Sequence, residues 1–368
     1  MPGLYQTGGI QVFSQFLIAA TKDSKTADVV VFSKQDDSHE LKARLTGLVS
    51  FGFGRWPAFF QTFIFSICIF FSAARNRPDL IVITLAHFAP VAMFLKIFFK
   101  IHYIVVAHGV EVWDMKRFLL KPSLEESDCV LAVSQYTKDR IIAQDFKSPQ
   151  RVLIFPNTYD EKQFYLKEKE SHLIRERHGI SQNDFLLISV GRLCRSEKYK
   201  GHEIVMRAVK ALLVKNPNLK YLIVGSGDLR RELEEMSLSM GIKNQIIFAG
   251  RVSQEELPDY YRASDLFIMP STGEGFGIVY LEAMACGLPV IAGNQDGSVD
   301  ALKNGELGVL VDPYSVDEIE KAIQYFKNES SVESFPFQAA VISEKVKNEF
   351  GFAEFKKRFS QILSRFLH

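Results

Sequence analysis

Short apolar runs rich in β-branched residues recur along the chain, each followed by a segment long enough for a helix. That alternation is the signature of parallel sheets joined by crossover helices. In the first half the runs are 28–33, 79–84, 101–107, 128–133 and 151–155; in the second they are 185–190, 220–224, 245–249, 265–269, 289–292 and 308–311. Most are unbroken rather than alternating, as strands covered on both faces should be. At 368 residues the chain is too long for one ordinary core and fits two α/β domains of similar size. Residues 157–183 interrupt the rhythm with charge-rich, weakly apolar sequence, which places a junction there. The expected division is 1–160, 161–348, and a C-terminal helix, 349–368, returning to the first domain. Phe352, Phe355, Phe359, Ile362 and Phe366 stand at helical spacing for that return.

A net charge of +1 gives no footprint for nucleic acid, which is set aside as a main partner. The cysteines Cys68, Cys129, Cys194 and Cys286 are scattered and no secretory signal precedes them, so a cytoplasmic setting is expected, with the thiols as small core residues. Phenylalanine is the oddity, at 31 residues. The stretch from Trp56 to Ala74 carries no charge. We read it chiefly as an internal packed helix, because Arg75 to Pro78 link it directly into the run at Asp79; a helix lying on a membrane and a true span are the alternatives. Phe94 to Lys100 poses the same choice, so peripheral membrane contact through the first domain is one of the readings carried forward.

Chemistry is densest from Pro270 to Pro289. A run is followed by a glycine-rich loop, Ser271-Thr272-Gly273-Glu274-Gly275-Phe276-Gly277, then by a helix stopped by Gly287 and Pro289. Such a loop presents unpaired backbone N–H groups and the positive end of a helix dipole, for which phosphate is the natural guest. Glu274 precedes the helix and Glu282 falls in its second turn, so the two carboxylates reach different parts of one ligand. Carboxylates are poor ligands for phosphate but good acceptors for sugar hydroxyls.

This stretch resembles the signature of family 4 of the retaining glycosyltransferases, which share the GT-B fold: α/β, two facing Rossmann-like domains with parallel sheets and an interdomain cleft. The resemblance implies that Glu274 lies near a donor sugar, that Glu282 holds a nucleotide ribose, and that Gly275, Phe276, Gly277 and Ile278 line the donor. Ser189 to Leu193 and Glu197 to His202 resemble the family's cation pair on the donor diphosphate, which falls to Arg192 and Lys200; Lys198 competes with Lys200 for the lysine role. Two fixed cations would stabilise a departing diphosphate without a metal. Gly225-Ser226-Gly227 resembles a donor-side glycine turn, though a tight turn without a ligand explains it equally well. Phe248 to Val252 resembles the strand end at the nucleobase, which puts Arg251 and Val252 in the donor set.

The first half supplies the acceptor side. His108, ending the run 101–107, is similar to the family's active-site histidine, and Gly8 and Gly9 resemble the glycine loop after the family's first strand. Here the chain departs from the pattern, since only Met1 to Thr7 precede that loop and Pro2 and Gly3 are unfit for a strand interior. We therefore expect a first strand to be missing, a start placed too late or a truncated product, with activity of this chain in doubt. No Asp-x-Asp clamp stands at a strand end, so neither metal nor cofactor is expected; the donor is a nucleotide diphosphate sugar. The implied reaction is hexose transfer with retention to a glycan or lipid-linked acceptor, as in polysaccharide or glycolipid synthesis. The rivals are a sugar epimerase or phosphorylase of the same fold and a nucleotide-sugar-binding protein without turnover. A dinucleotide-dependent dehydrogenase is more distant, because no G-x-G-x-x-G follows a first strand.

Overall fold

Every strand pairing in the described residues is parallel, so every connection between paired neighbours is a crossover. The computed structural model describes residues 1, 3–5, 8–24, 28–116, 118–167, 172–329 and 336–366. The chain divides into two compact units, Met1–Thr158 with Phe352–His368, and Tyr159–Gly351.

The second unit holds β7 (Phe185–Val190), β8 (Leu219–Val224), β9 (Ile246–Gly250), β10 (Leu266–Met269), β11 (Val290–Gly293) and β12 (Val309–Val311) in the order β12-β11-β10-β7-β8-β9. β8, β10 and β11 are buried almost throughout, which is why their sequences are apolar runs with no alternation. The amphipathic helix His202–Leu212 buries Val205, Met206, Val209 and Leu212 in the same core as Ile319, Ile323 and Phe326 of the helix Val316–Glu329. The order runs outward from β7 in both directions. Its reversal between β7 and β10 is the switch point, where open α/β sheets leave a crevice at the carboxyl ends of their strands.

The first unit contains β1 (Val30–Ser33) and β2 (Val49–Gly52) as one sheet, and β3 (Leu80–Ile83), β4 (His102–Ala107), β5 (Cys129–Ala132) and β6 (Val152–Ile154) as another in chain order. Among the described residues no strand joins the two sheets; Met1 runs along the edge of β1, its amino group donating to the Phe32 carbonyl at 2.9 Å and its carbonyl accepting from the Lys34 amide at 3.0 Å. Of the segment before the first helix, residues 2, 6 and 7 lie outside the described residues. That helix, Gly9–Ser24, buries Phe13, whose ring meets Phe155 and Phe355 edge-on. Phe355, Phe359 and Ile362 of the helix Phe352–Leu363 are buried in this unit.

Two readings need correcting. β2 was not among the expected strands: its four residues sit among Gly47, Gly52 and Gly54, and its apolar signal is too short to register. Gly52 and Gly54 are there because a Cβ on either would meet the backbone of Gln35 to Ser38 within 3 Å. Second, the uncharged stretch is not an internal helix. It forms the helix Ala58–Asn76, which turns Phe65 and Ala73 inward and packs Ile64, Cys68 and Ile69 against the core, yet only 11% of Phe59–Asn76 is buried. A helix apolar all round carries no periodicity to mark its outer face, so the sequence alone did not reveal which side is uncovered.

Candidate active site

The loops after β7 and β10 flank the switch point of the second sheet and carry its densest cluster of charge. After β7 the chain runs through Arg192 into a short 3-10 segment, Arg195–Lys200, capped by Gly201 at φ +79. That glycine is required twice over, by its left-handed backbone and because a Cβ there would stand 2.5 Å from the Pro270 carbonyl oxygen. The two loops are tied directly, the Thr272 amide donating to the Tyr199 carbonyl at 2.9 Å.

Lys200 is the centre of the cluster. Its Nζ lies 2.6 Å from Glu274 Oε1 and 3.5 Å from Glu197 Oε2. Burial pulls the ammonium down, but Glu274, Tyr199 and Glu197 overcome it and raise Lys200 above its ordinary value, so it is a fixed cation at any physiological pH. Arg192 pairs with the other oxygen of Glu197 while its side chain stays 73% exposed. Glu197 thus bridges both cations, a role that sequence reasoning did not assign although the residue stands three before Lys200. Lys198, the competing lysine, turns the other way to Glu232 and Glu203.

The Glu274 loop is held from behind by Asp296, which sequence reasoning also missed. Buried Asp296 accepts from the Glu274 amide and the Ser271 hydroxyl, each at 2.7 Å, and from the Ser298 amide and hydroxyl. Burial raises this carboxyl despite those bonds. The Asp-Gly-Ser turn signal was present in the sequence. Phe276 is fully buried, its ring meeting Phe350 at 5.5 Å; it anchors the loop and leaves only its backbone to face a ligand. Gly277 at φ +86 then starts the helix Ile278–Ala285, whose first amides lack intrahelical partners.

Glu282 is held apart from the lysine, by Tyr261, whose hydroxyl donates to Oε2 at 2.9 Å. Burial pushes its carboxyl up to about 7 against that bond. Gly225, at φ +143, is explained without a ligand: a Cβ would stand 1.8 Å from the Gly191 carbonyl oxygen. Arg251 is exposed and Val252 half-buried just past β9.

In the first unit, Gly8 lies in a bend and Gly9 opens the first helix. His108 directly follows β4 and is half-buried, its ring 5.0 Å from Phe13 on that helix. Nε2 lies 3.0 Å from the Thr84 carbonyl, which accepts, so the proton sits on Nε2. Burial lowers the imidazole to about 4, so it is neutral at pH 7. Among the described residues no group of three or more His, Cys, Asp or Glu is placed to hold a metal ion.

Two α/β units with parallel sheets, one of them carrying a charged, glycine-lined loop pair at its switch point, are the two-domain architecture of the GT-B transferases. Two family models match, one described as Glycosyltransferase Family 4 over residues 7–163 and one as Glycosyl transferases group 1 over residues 170–340. The chain belongs to the family 4 glycosyltransferases. It is 32% identical over 227 residues to a GDP-mannose-dependent alpha-(1-6)-phosphatidylinositol monomannoside mannosyltransferase of Mycolicibacterium smegmatis, a match covering 59% of this chain and 58% of that protein. It is 32% identical over 211 residues to a D-inositol 3-phosphate glycosyltransferase of Rhodococcus jostii, covering 55% and 46%. The chain is thus matched to only about half the length of these curated relatives. The crystal structure of Anabaena HepE in complex with UDP is similar in fold, with a TM-score of 0.81 over 99% of this chain and 98% of that one, at 19% identity.

Proposed function

We propose that this chain transfers a hexose from a nucleotide diphosphate sugar to a glycan or lipid-linked acceptor, in polysaccharide or glycolipid synthesis, with retention at the anomeric carbon. The observation that carries this reading is the buried Lys200 ammonium at the β7–β10 switch point, joined through Glu197 to Arg192 and paired with Glu274 of the loop that leads into the Ile278–Ala285 helix. As the glycosidic bond breaks, charge grows on the leaving diphosphate. Fixed cations and oriented amides stabilise it without reorganisation, and hence lower the barrier. Exposed Arg192 exchanges its hold on Glu197 for a diphosphate oxygen, while Lys200, seated between two carboxylates, stays put. Glu274 accepts from a sugar hydroxyl, and Glu282, with Arg251 and Val252 beyond β9, takes the nucleoside end.

His108, neutral and with Nε2–H committed to Thr84, holds its ring in one orientation and works as a positioning or shielding group rather than a base. The relatives named above for GDP-mannose and phosphatidylinositol mannoside, and the UDP-bound neighbour, support a nucleotide-sugar donor and leave open which one. The setting we propose is cytoplasmic, with no cofactor besides the donor. A panel of UDP-, GDP- and ADP-sugars, assayed for donor hydrolysis and for glycoside formation with the anomeric configuration read by NMR, tests the reading. Release of nucleoside diphosphate with an α-product from an α-donor supports it. An isomerised or phosphorolysed donor, or tight binding without turnover, contradicts it in favour of an epimerase, a phosphorylase or a pure binding protein.

A further inference from the structure

The helix Ala58–Asn76 exposes a stripe at four-residue spacing: Phe59 at 77%, Phe63 at 64%, Ile67 at 38% and Phe71 at 67%. Residues four apart share one face of a helix, so these side chains form a single ridge. Trp56, also exposed, precedes it. The neighbouring helix Ala89–Phe99 adds exposed Phe94, Ile97 and Phe98, and Phe70 meets Phe99 ring to ring at 5.7 Å where the two helices pack. Scattered exposed apolar residues need no explanation, but a contiguous aromatic surface marks an interaction site.

Charge identifies the partner. Of the cations between Arg55 and Lys100, Arg55 pairs with Asp37 and Lys96 with Asp128, so the charge of this face comes from Arg75, Arg77 and Lys100, against the single acid of the stretch, Asp79. Both helices end at the same cationic edge: Arg75, Arg77 and Lys100 are exposed, and the Arg77 guanidinium sits 5.7 Å from the Phe99 ring. A second copy of the chain would bring this same cationic rim, with no acid but Asp79 to meet it. An anionic lipid surface offers acyl chains to the aromatic ridge and phosphates to the rim. Nor can the face cross a bilayer as a unit, because Ala89–Phe99 is only about 16 Å long against roughly 30 Å of hydrocarbon, and Phe65 and Ala73 fasten the longer helix to the fold.

We propose that the outer face of the helices Ala58–Asn76 and Ala89–Phe99 docks in the plane of an anionic membrane, Phe59, Phe63, Phe71 and Phe98 entering the headgroup–acyl boundary and Arg75, Arg77 and Lys100 lying among the phosphates. Flotation of the full chain with vesicles tests it, comparing phosphatidylcholine alone with mixtures containing phosphatidylglycerol. The chain floats with the mixed vesicles, and F63S/F71S/F98S reduces binding at least tenfold while retaining the parent's circular dichroism. R75Q/R77Q/K100Q loses roughly ten- to a hundredfold on anionic vesicles and little on neutral ones, as expected for three cations near a charged surface. The proposal fails if the parent binds neither vesicle, or if the aromatic variant floats like the parent. It fails equally if the parent is a dimer that the aromatic variant dissociates without any vesicle binding, or if alkaline carbonate does not release the chain. Binding is read without nucleotide, so failure here leaves the donor chemistry standing, and the reverse also holds.

Discussion

Lys200 Nζ lies 2.6 Å from Glu274 Oε1, joining the loop after β7 to the loop after β10 across the point where the sheet order reverses. The ion pair is both a fastening for the site and its source of positive charge. Lys200→Ala is therefore expected to do two things. Turnover falls by roughly 10²–10³, the usual cost of one preorganised electrostatic contact. Stability falls by about 3 kcal/mol, because half-buried Glu274 and buried Glu197 lose the cation they share. Thermal unfolding and initial rates check both, and Lys198→Ala, which removes only a surface pair with Glu232 and Glu203, should change neither appreciably.

Arg192 separates function from stability. Its side chain is mostly in solvent and Glu197 keeps Lys200 as a partner, so Arg192→Ala should unfold at nearly the parent's temperature. Its turnover should nevertheless drop about a hundredfold or more if it stabilises the leaving diphosphate. Parent-like turnover would remove Arg192 from the mechanism.

Glu282 links pH to both folding and binding. Its carboxyl in the fold titrates at about 7, above its ordinary value of 4.5. A folded value raised in this way gives a stability contribution that is complete below the unfolded value and is lost as pH rises through the folded one. Glu282→Gln should thus be more stable than the parent at pH 8.5, with the difference shrinking toward pH 5. Over the same range the parent's affinity for donor should improve as the carboxylate forms, while that of the variant stays flat. A pH-independent stability difference would show that Glu282 is ionised throughout.

The backbone behind the loop is as specific as its side chains. A Cβ at Gly297 would stand 2.1 Å from the Gly275 carbonyl oxygen, and the Gly297 amide donates to the Glu274 carbonyl at 2.9 Å. Gly297→Ala must push the glycine-rich loop away from Asp296, at roughly 1–3 kcal/mol for an overpacked site. We expect KM for the donor to rise and turnover to fall; an unchanged KM would mean that the loop does not seat the donor.

How much of this was legible in the sequence follows from what each element owes to local pattern. β7, β8, β10 and β11 announce themselves because strands buried on both faces are written as apolar runs, and Gly277 and Gly287 punctuate the helix between β10 and β11. β2 escaped because its pairing with β1 and the close approach of Gly52 to the Asp36–Ser38 backbone are tertiary facts with little local trace. The outward ridge of Phe59, Phe63 and Phe71 escaped for the opposite reason, a pattern so uniformly apolar that no face stood out. At the site, Lys200 and Glu274 were named from their loops, but their contact, the bridging by Glu197 and the support from Asp296 arise only when residues up to about a hundred positions apart are brought together. Gly225 shows the converse, a motif glycine whose need is met by the Gly191 backbone alone.

The account stands on a diphosphate seated at the β7–β10 switch point of the second unit. A crystal structure of the chain soaked with its preferred nucleoside diphosphate measures this directly. The phosphates should lie within hydrogen-bond distance of Arg192, Lys200 and the first amides of the Ile278–Ala285 helix, with the ribose against Glu282. Phosphates bound elsewhere, with Arg192 still on Glu197 and the Glu274 loop unoccupied, would contradict it.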